Sequence, residues 1–411
     1  MKSISTFALG VALALGGAMA VAPSTAAAQE ESEAPARKFK FSKEGQPALA
    51  AVQKALNAGD EAGYQTALAA AKAAVQNTDD RYVLAQLQLS HAIKANDDAL
   101  KLAAIDAMIQ SGGATAAELP ALYQNLGGIH YNAGKYDLAA AAFKKLVELQ
   151  PGNKDAANNL AAALAQSNPA EAAAVLQQQI AAAKAANQPV SEELYKQALG
   201  LAYDAQSPNS IELSRELVAA YPSAENWRNA LTIYREMKNP AGDANLDVLR
   251  LMRVTKALQG ERNYFELADA LNDGGLPGET KAVLDEGAAA RQVNLSEAGF
   301  KELHALASGR ITEDKASLPG LEKSAMAAAT GKAALTTGDA YYGYGDYAKA
   351  AALYRAALQK GSIDANLANT RLGMALALAG QKAEAEAAFK AVTGPRADIA
   401  GYWLVWLGQA A

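Results

Sequence analysis

A pattern of small and large residues returns along this chain at a spacing close to 35 residues, and that return restricts the fold more than any other feature. It is clearest where Tyr123, Leu126, Gly127, His130, Gly134, Tyr136, Ala139, Phe143, Leu146 and Pro151 follow one another. Gly338, Tyr341, Gly345, Tyr347, Ala350, Tyr354 and Ala357 keep the same mutual spacings. Leu372, Gly373, Leu376, Gly380, Ala385, Phe389 and Val392 repeat them 35 residues further on. Positions 123, 126 and 130 share one face of a helix, Gly127 allows a neighbouring helix to approach, and Gly134 marks a turn. Ala139, Phe143 and Leu146 then form the inward stripe of a second helix, which Pro151 ends.

Such a helix–turn–helix unit resembles the tetratricopeptide repeat, whose period is about 34 residues. The resemblance implies an all-α fold, an α-solenoid of stacked antiparallel hairpins. Elsewhere the pattern loosens. Leu199-Gly200-Leu201-Ala202-Tyr203 opens a unit that ends at Tyr221-Pro222, and Trp227, Ala230, Leu231 and Tyr234 open another. Tyr264, Leu267, Ala268, Leu271, Gly275, Thr280 and Leu284 keep the spacing with other residue types. Residues 154–187 form an alanine-rich hairpin broken at Asn168-Pro169, and 48–110 read as two more hairpins. Residues 238–260 and 288–330 are helical by pattern but fit the repeat poorly. The expected division is a signal peptide (1–28), a flexible lead-in (29–44), an N-terminal array (45–222), irregular repeats (223–330), a C-terminal pair (331–393) and a capping helix (394–411). In that last helix Ile399, Trp403, Trp406 and Leu407 fall on one face. A cap over the last repeat is the expected role, with a partner-binding or membrane-surface helix as the alternative.

Lys2, the apolar run from Phe7 to Ala20, Pro23 and the exit Ala26-Ala27-Ala28 make the pattern of a secretory signal peptide. The run falls short of the roughly 20 residues that span a bilayer, and no basic stop-transfer cluster follows it. The expectation is therefore an exported protein, periplasmic or extracellular, cleaved after Ala28, without stable membrane insertion. Cleavage would remove Lys2 and no acid, which takes the net charge from −5 to −6. Coating nucleic acid requires a basic face, and none stands out. Cys is absent, so disulfides, thiolate nucleophiles and Cys-ligated zinc are excluded together. Alanine is abundant while aromatics make up 6%, which favours thin helix layers over one thick core.

Residues suited to catalysis do not assemble into a motif. His91, His130 and His304 have no metal-ligand spacing, and neither an HExxH nor a GxSxG pattern occurs. Asp273-Gly274-Gly275-Leu276-Pro277-Gly278-Glu279-Thr280-Lys281 has the glycines of a phosphate loop, but Glu279 stands where such a loop needs lysine. An inter-helix turn with Pro277 at a helix start is the expected structure. Asp79-Asp80, Asp97-Asp98 and Glu192-Glu193 are expected in helix-initiating, solvated roles. Arg250, Arg253, Glu261 and Arg262 cluster in the irregular region without the geometry of a reaction. No enzyme activity, cofactor or metal is expected.

In the family the sequence resembles, the concave face is lined by fixed positions of each first helix. Carried over, these are Gln124, Tyr131, Asn132, Asn158, Gln166, Gln197, Asp204, Arg228, Arg235 and Tyr342. The set is rich in amides, which donate and accept and so suit an extended peptide backbone. Chaperone-binding members grip a carboxylate with lysine and asparagine. Here Gln124 and Gly128 occupy the first two of those positions, Asn159 matches a third, and the clamp is incomplete. The resemblance implies a protein-interaction scaffold or adaptor of the bacterial periplasm or envelope that binds a protein or peptide. The alternative is a glycan-binding module for cell-wall or exopolysaccharide assembly or export, with Tyr342 as its stacking residue.

Overall fold

The computed structural model describes residues 37–409. The signal-peptide reading, and residues 29–36 of the lead-in, lie outside them. Helix is the only regular secondary structure among the described residues, and most helices pack on the next in sequence. The chain forms two compact units that part between Gln188 and Pro189, inside the stretch expected as one N-terminal array.

The first unit is a run of four hairpins. They pair α1 (Gly45–Ala58) with α2 (Glu61–Ala74), α3 (Thr78–Ala95) with α4 (Asp98–Gln110), α5 (Leu119–Asn132) with α6 (Tyr136–Leu149), and α7 (Lys154–Ser167) with α8 (Pro169–Ala185). Local chemistry sets the ends. Asp60, Asn77, Asp97, Asn153 and Asn168 each accept a backbone N–H of the helix they start. Ahead of α1 the described part of the lead-in, residues 37–44, is tied down rather than free. Arg37 donates to Glu118 (3.0 Å) and to the Gly113 carbonyl (2.5 Å), and its guanidinium lies over the Phe39 and Tyr82 rings. Asp80, expected to be solvated, is fully buried. It accepts from Ser42 N–H (3.0 Å), Ser42 Oγ (2.5 Å) and Gln76 N–H (3.1 Å). A buried carboxylate requires such donors, and Ser42 supplies two of them.

The second unit begins with hairpins α9 (Glu192–Asp204)/α10 (Asn209–Ala220) and α11 (Ala224–Lys238)/α12 (Asp243–Val254). It continues with α13 (Gly260–Asp273)/α14 (Pro277–Ala289) and one long helix, α15 (Ala298–Ala327). The regular pair α16 (Lys332–Gly343)/α17 (Tyr347–Lys360) and α18 (Ala365–Leu378)/α19 (Lys382–Lys390) follows. A 3₁₀ turn at Gly394–Arg396 then leads into α20 (Ala397–Gln409). The glycine-rich segment before Thr280 is the turn from α13 to α14, and Pro277 starts the second helix.

Three hairpins share one contact. A Cβ on Gly127 would sit 2.5 Å from the Phe143 ring, one on Gly338 2.6 Å from Tyr354, and one on Gly373 2.5 Å from Phe389. Seven residues later, Gly134, Gly345 and Gly380 take φ of 71°, 80° and 77°, the left-handed conformation that turns the chain back. Helix α15 lacks that device. Its Gly309 and Gly320 do not adopt positive φ, so the chain runs on for 30 residues where a repeat would turn.

Two elements of the second unit leave the repeat pattern and fill its interior. Residues Leu246 to Met252 of α12 are all buried, polar and apolar alike, as in a helix enclosed on every side. Helix α20 packs on α19, as a cap would, and also on α10, α12 and α18. Trp403 and Tyr402 are fully buried; Trp403 stacks on Phe389 at 5.9 Å, and Tyr402 Oη meets Ser214 Oγ at 2.5 Å.

Candidate partner-binding site

The first unit presents an uncharged amide surface. Gln124 and Asn132 on α5, and Asn158 and Gln166 on α7, are exposed. Asn159 Nδ2 donates to Gln124 Oε1 (3.3 Å), joining neighbouring hairpins, and Gln179 Nε2 donates to Asn158 Oδ1 (3.2 Å). Tyr131 is half-buried with its ring edge-on to Tyr136 at 5.3 Å. His130 is half-buried close by; burial holds its imidazole below the ordinary value, so the ring is neutral at pH 7. His91 stacks on Tyr64 at 4.0 Å and bonds Glu61, while His304 bonds Asp285. Among the described residues no cluster of His, Asp and Glu could hold a metal ion.

In the second unit the nominated residues separate. Gln197 and Asp204 are exposed on α9, Gln197 donating to Glu193 at 3.0 Å. Arg235 pairs with Glu266 and donates to Asn245 (3.1 Å), in a shallow hollow beside Phe265 and Phe300. Tyr342 corrects the expectation made of it. It is only 6% exposed, with the Arg250 guanidinium 4.7 Å above its ring and Tyr347 packed edge-on. The side of α16 that the repeat register gives to a groove is covered by Arg250 of α12, and burial raises the Tyr342 hydroxyl far above the ordinary tyrosine range.

Around α12 lies a buried ion network that the sequence did not announce. Arg250 donates to both oxygens of Glu279, at 3.0 Å from Nε and 2.6 Å from Nη2. Arg371 bonds Asp243 and Asp339 and lies 3.5 Å from Asp247, which also accepts from Arg396 at 2.5 Å. Tyr354 donates to Asp339 at 2.7 Å. Burial pushes the Asp339 carboxyl up, and Arg371 opposes that rise. Burial also works against the charge on Arg250, but the Glu279 carboxylate outweighs it and holds the guanidinium protonated. Arg250, Arg371 and Arg396 are thus matched by Asp247, Glu279 and Asp339. The charged residues that stood out in the sequence as a cluster divide, Arg250 and Arg253 pointing inward while Glu261 and Arg262 are exposed on α13.

Beside the network opens a cavity of about 920 Å³, lined by Arg228, Arg253, Lys256, Tyr264, Tyr344 and Tyr347 among others. Arg228 Nε donates to the Ala257 carbonyl at 3.2 Å, which fixes the turn after α12 and sets Lys256 beside Arg228. Arg253 donates to both oxygens of Glu286, at 2.8 Å and 2.5 Å. Of the nominated residues, Arg228 and Tyr342 are the two that meet here.

Hairpins stacked in order, three of them packed through a glycine beneath an aromatic ring, define a helical-repeat scaffold. The tetratricopeptide-repeat family model matches residues 120–153, the hairpin α5/α6 and its flanks. The chain thus carries a tetratricopeptide repeat at α5/α6. No curated protein matches it. A solved structure titled "Structure of Naa15/Naa10 bound to HypK-THB" is similar at 15% identity and a TM-score of 0.32. The match covers 86% of this chain and 65% of that one, so this chain spans less than two thirds of its length.

Proposed function

We propose that this protein is a non-enzymatic adaptor of the bacterial periplasm or envelope that holds a segment of a partner protein or peptide on its first unit. The observation that carries the reading is the exposed, uncharged row of Gln124, Asn132, Asn158 and Gln166 on two successive first helices. Amides offer a donor and an acceptor each, which matches the alternating groups of an extended backbone without demanding a particular side chain. Export rests on the basic start, apolar run and small-residue exit of residues 1–28. The glycan reading loses its stacking residue, since Tyr342 is buried under Arg250.

Two measurements test the reading. Tagged mature chain should capture a defined protein from envelope extract, and Gln124→Ala/Asn158→Ala should lose it while melting as the parent does, alanine being the best helix former. Equal capture by both chains would remove the first unit from the account. N-terminal sequencing of the mature product should begin at Gln29; an intact Met1 on cell-retained protein would remove export.

A further inference from the structure

We propose that the cavity of the second unit is a separate receptor for an acidic peptide segment. Its cationic lining residues are Arg228, Arg250, Arg253 and Lys256, and its carboxylates are Glu279 and Glu286. Arg250 is spent on Glu279, and Arg253 on Glu286. Arg228 and Lys256 form no ion pair among the described residues. Lys256 is exposed, and Arg228 commits only its Nε, to the Ala257 carbonyl. These two cations lie 28 positions apart in sequence, and that bond ties Arg228 to the residue after Lys256 in the cavity lining they share. Two neighbouring free cations beside a neutralised wall match two carboxylates of one ligand.

The remaining lining narrows the ligand to a peptide. Tyr264, Tyr344 and Tyr347, with Leu258 and Val254, offer apolar surface to side chains, while Gln259 and Gln292 present amides. The volume lies within the range of about 300–1,000 Å³ common to ligand pockets, which admits a few residues of a chain. A nucleic acid would need a longer basic track than one rim supplies. The chain as a whole carries −5, so its net charge works against a polyanion and attraction must come from local free cations.

The probe is fluorescein-labelled octaglutamate, titrated by anisotropy against the whole mature chain, with octalysine and oligodeoxythymidylate as comparisons. Saturable binding to octaglutamate alone is expected, weakening as salt rises. Lys256→Glu should weaken it at least tenfold, and Arg228→Gln should do the same. Lys323→Glu, an equal charge change at an exposed position of α15 away from the cavity, should leave it unchanged. If Arg228→Gln loosens the turn it anchors and the variant melts early, the exposed Lys256 carries the test. Absence of octaglutamate binding, tighter binding of either comparison probe, or equal losses in Lys256→Glu and Lys323→Glu would each overturn the proposal. None of these results bears on the amide surface of the first unit, so the two readings fail separately.

Discussion

Gly127, Gly338 and Gly373 do the same work in three hairpins, each leaving room for an aromatic ring of the following helix. Gly338 is the least forgiving, because Tyr354 is held by its bond to Asp339 and is fully buried, whereas Phe143 has no polar tether. Gly338→Ala should therefore cost about 1–3 kcal/mol, more than Gly127→Ala, in urea melts of the two variants. Equal losses would mean that the Tyr354 tether does not hold the ring. Asp80 makes a second prediction. The donors from Ser42 and Gln76 outweigh burial and hold its carboxyl below the ordinary value. A depressed folded value means that its stabilisation is present above the unfolded pKa of about 3.9 and fades as pH falls through the folded one. Asp80→Asn should cost about 1.5–3 kcal/mol at pH 7, with the gap to the parent closing in strong acid. The glycines were legible in the sequence because they repeat. The burial of Asp80 was not, because two of its three donors come from Ser42, 38 positions away in a segment that reads as a flexible leader.

At the scale of the element, the regular hairpins follow from period and caps, and the departures from long-range packing. Helix α12 carries Asp247, Arg250 and Arg253. Charges at such spacing read as a solvated face until Arg371, Arg396 and Glu279 are brought to them from 29 to 149 positions away. The same enclosure is why Tyr342 failed as a groove residue. Removing one partner of a buried ionic cluster leaves the others uncompensated, so Arg371→Met should destabilise the second unit by about 3–5 kcal/mol in denaturant titrations. A loss under 1 kcal/mol would show Asp339 and Asp247 to be solvated. Helix α20 was legible as an apolar stripe but not in its reach to α10, since the pattern shows which face is buried and not against what. Trp403→Ala should cost about 3–5 kcal/mol, as a fully buried indole requires, and an unchanged melt would show α20 to be undocked.

At the scale of the molecule, two compact units divide at an exposed segment, where Asn187 takes a left-handed φ of 51° and Pro189 follows. Repeats stack locally, so each unit holds its own core, and cleavage there should release two folded pieces. Limited proteolysis with mass spectrometry checks this, and stable fragments that end elsewhere would contradict it. On the proposed function, the first unit holds a partner along its amide face. Its most direct test places a photocrosslinking residue at Gln124, at Asn158 and, as a control, at the exposed Lys145 of α6, in living cells. One shared adduct from Gln124 and Asn158, and none from Lys145, is the expected result. No adduct at the first two positions, or the same adduct from all three, would contradict it.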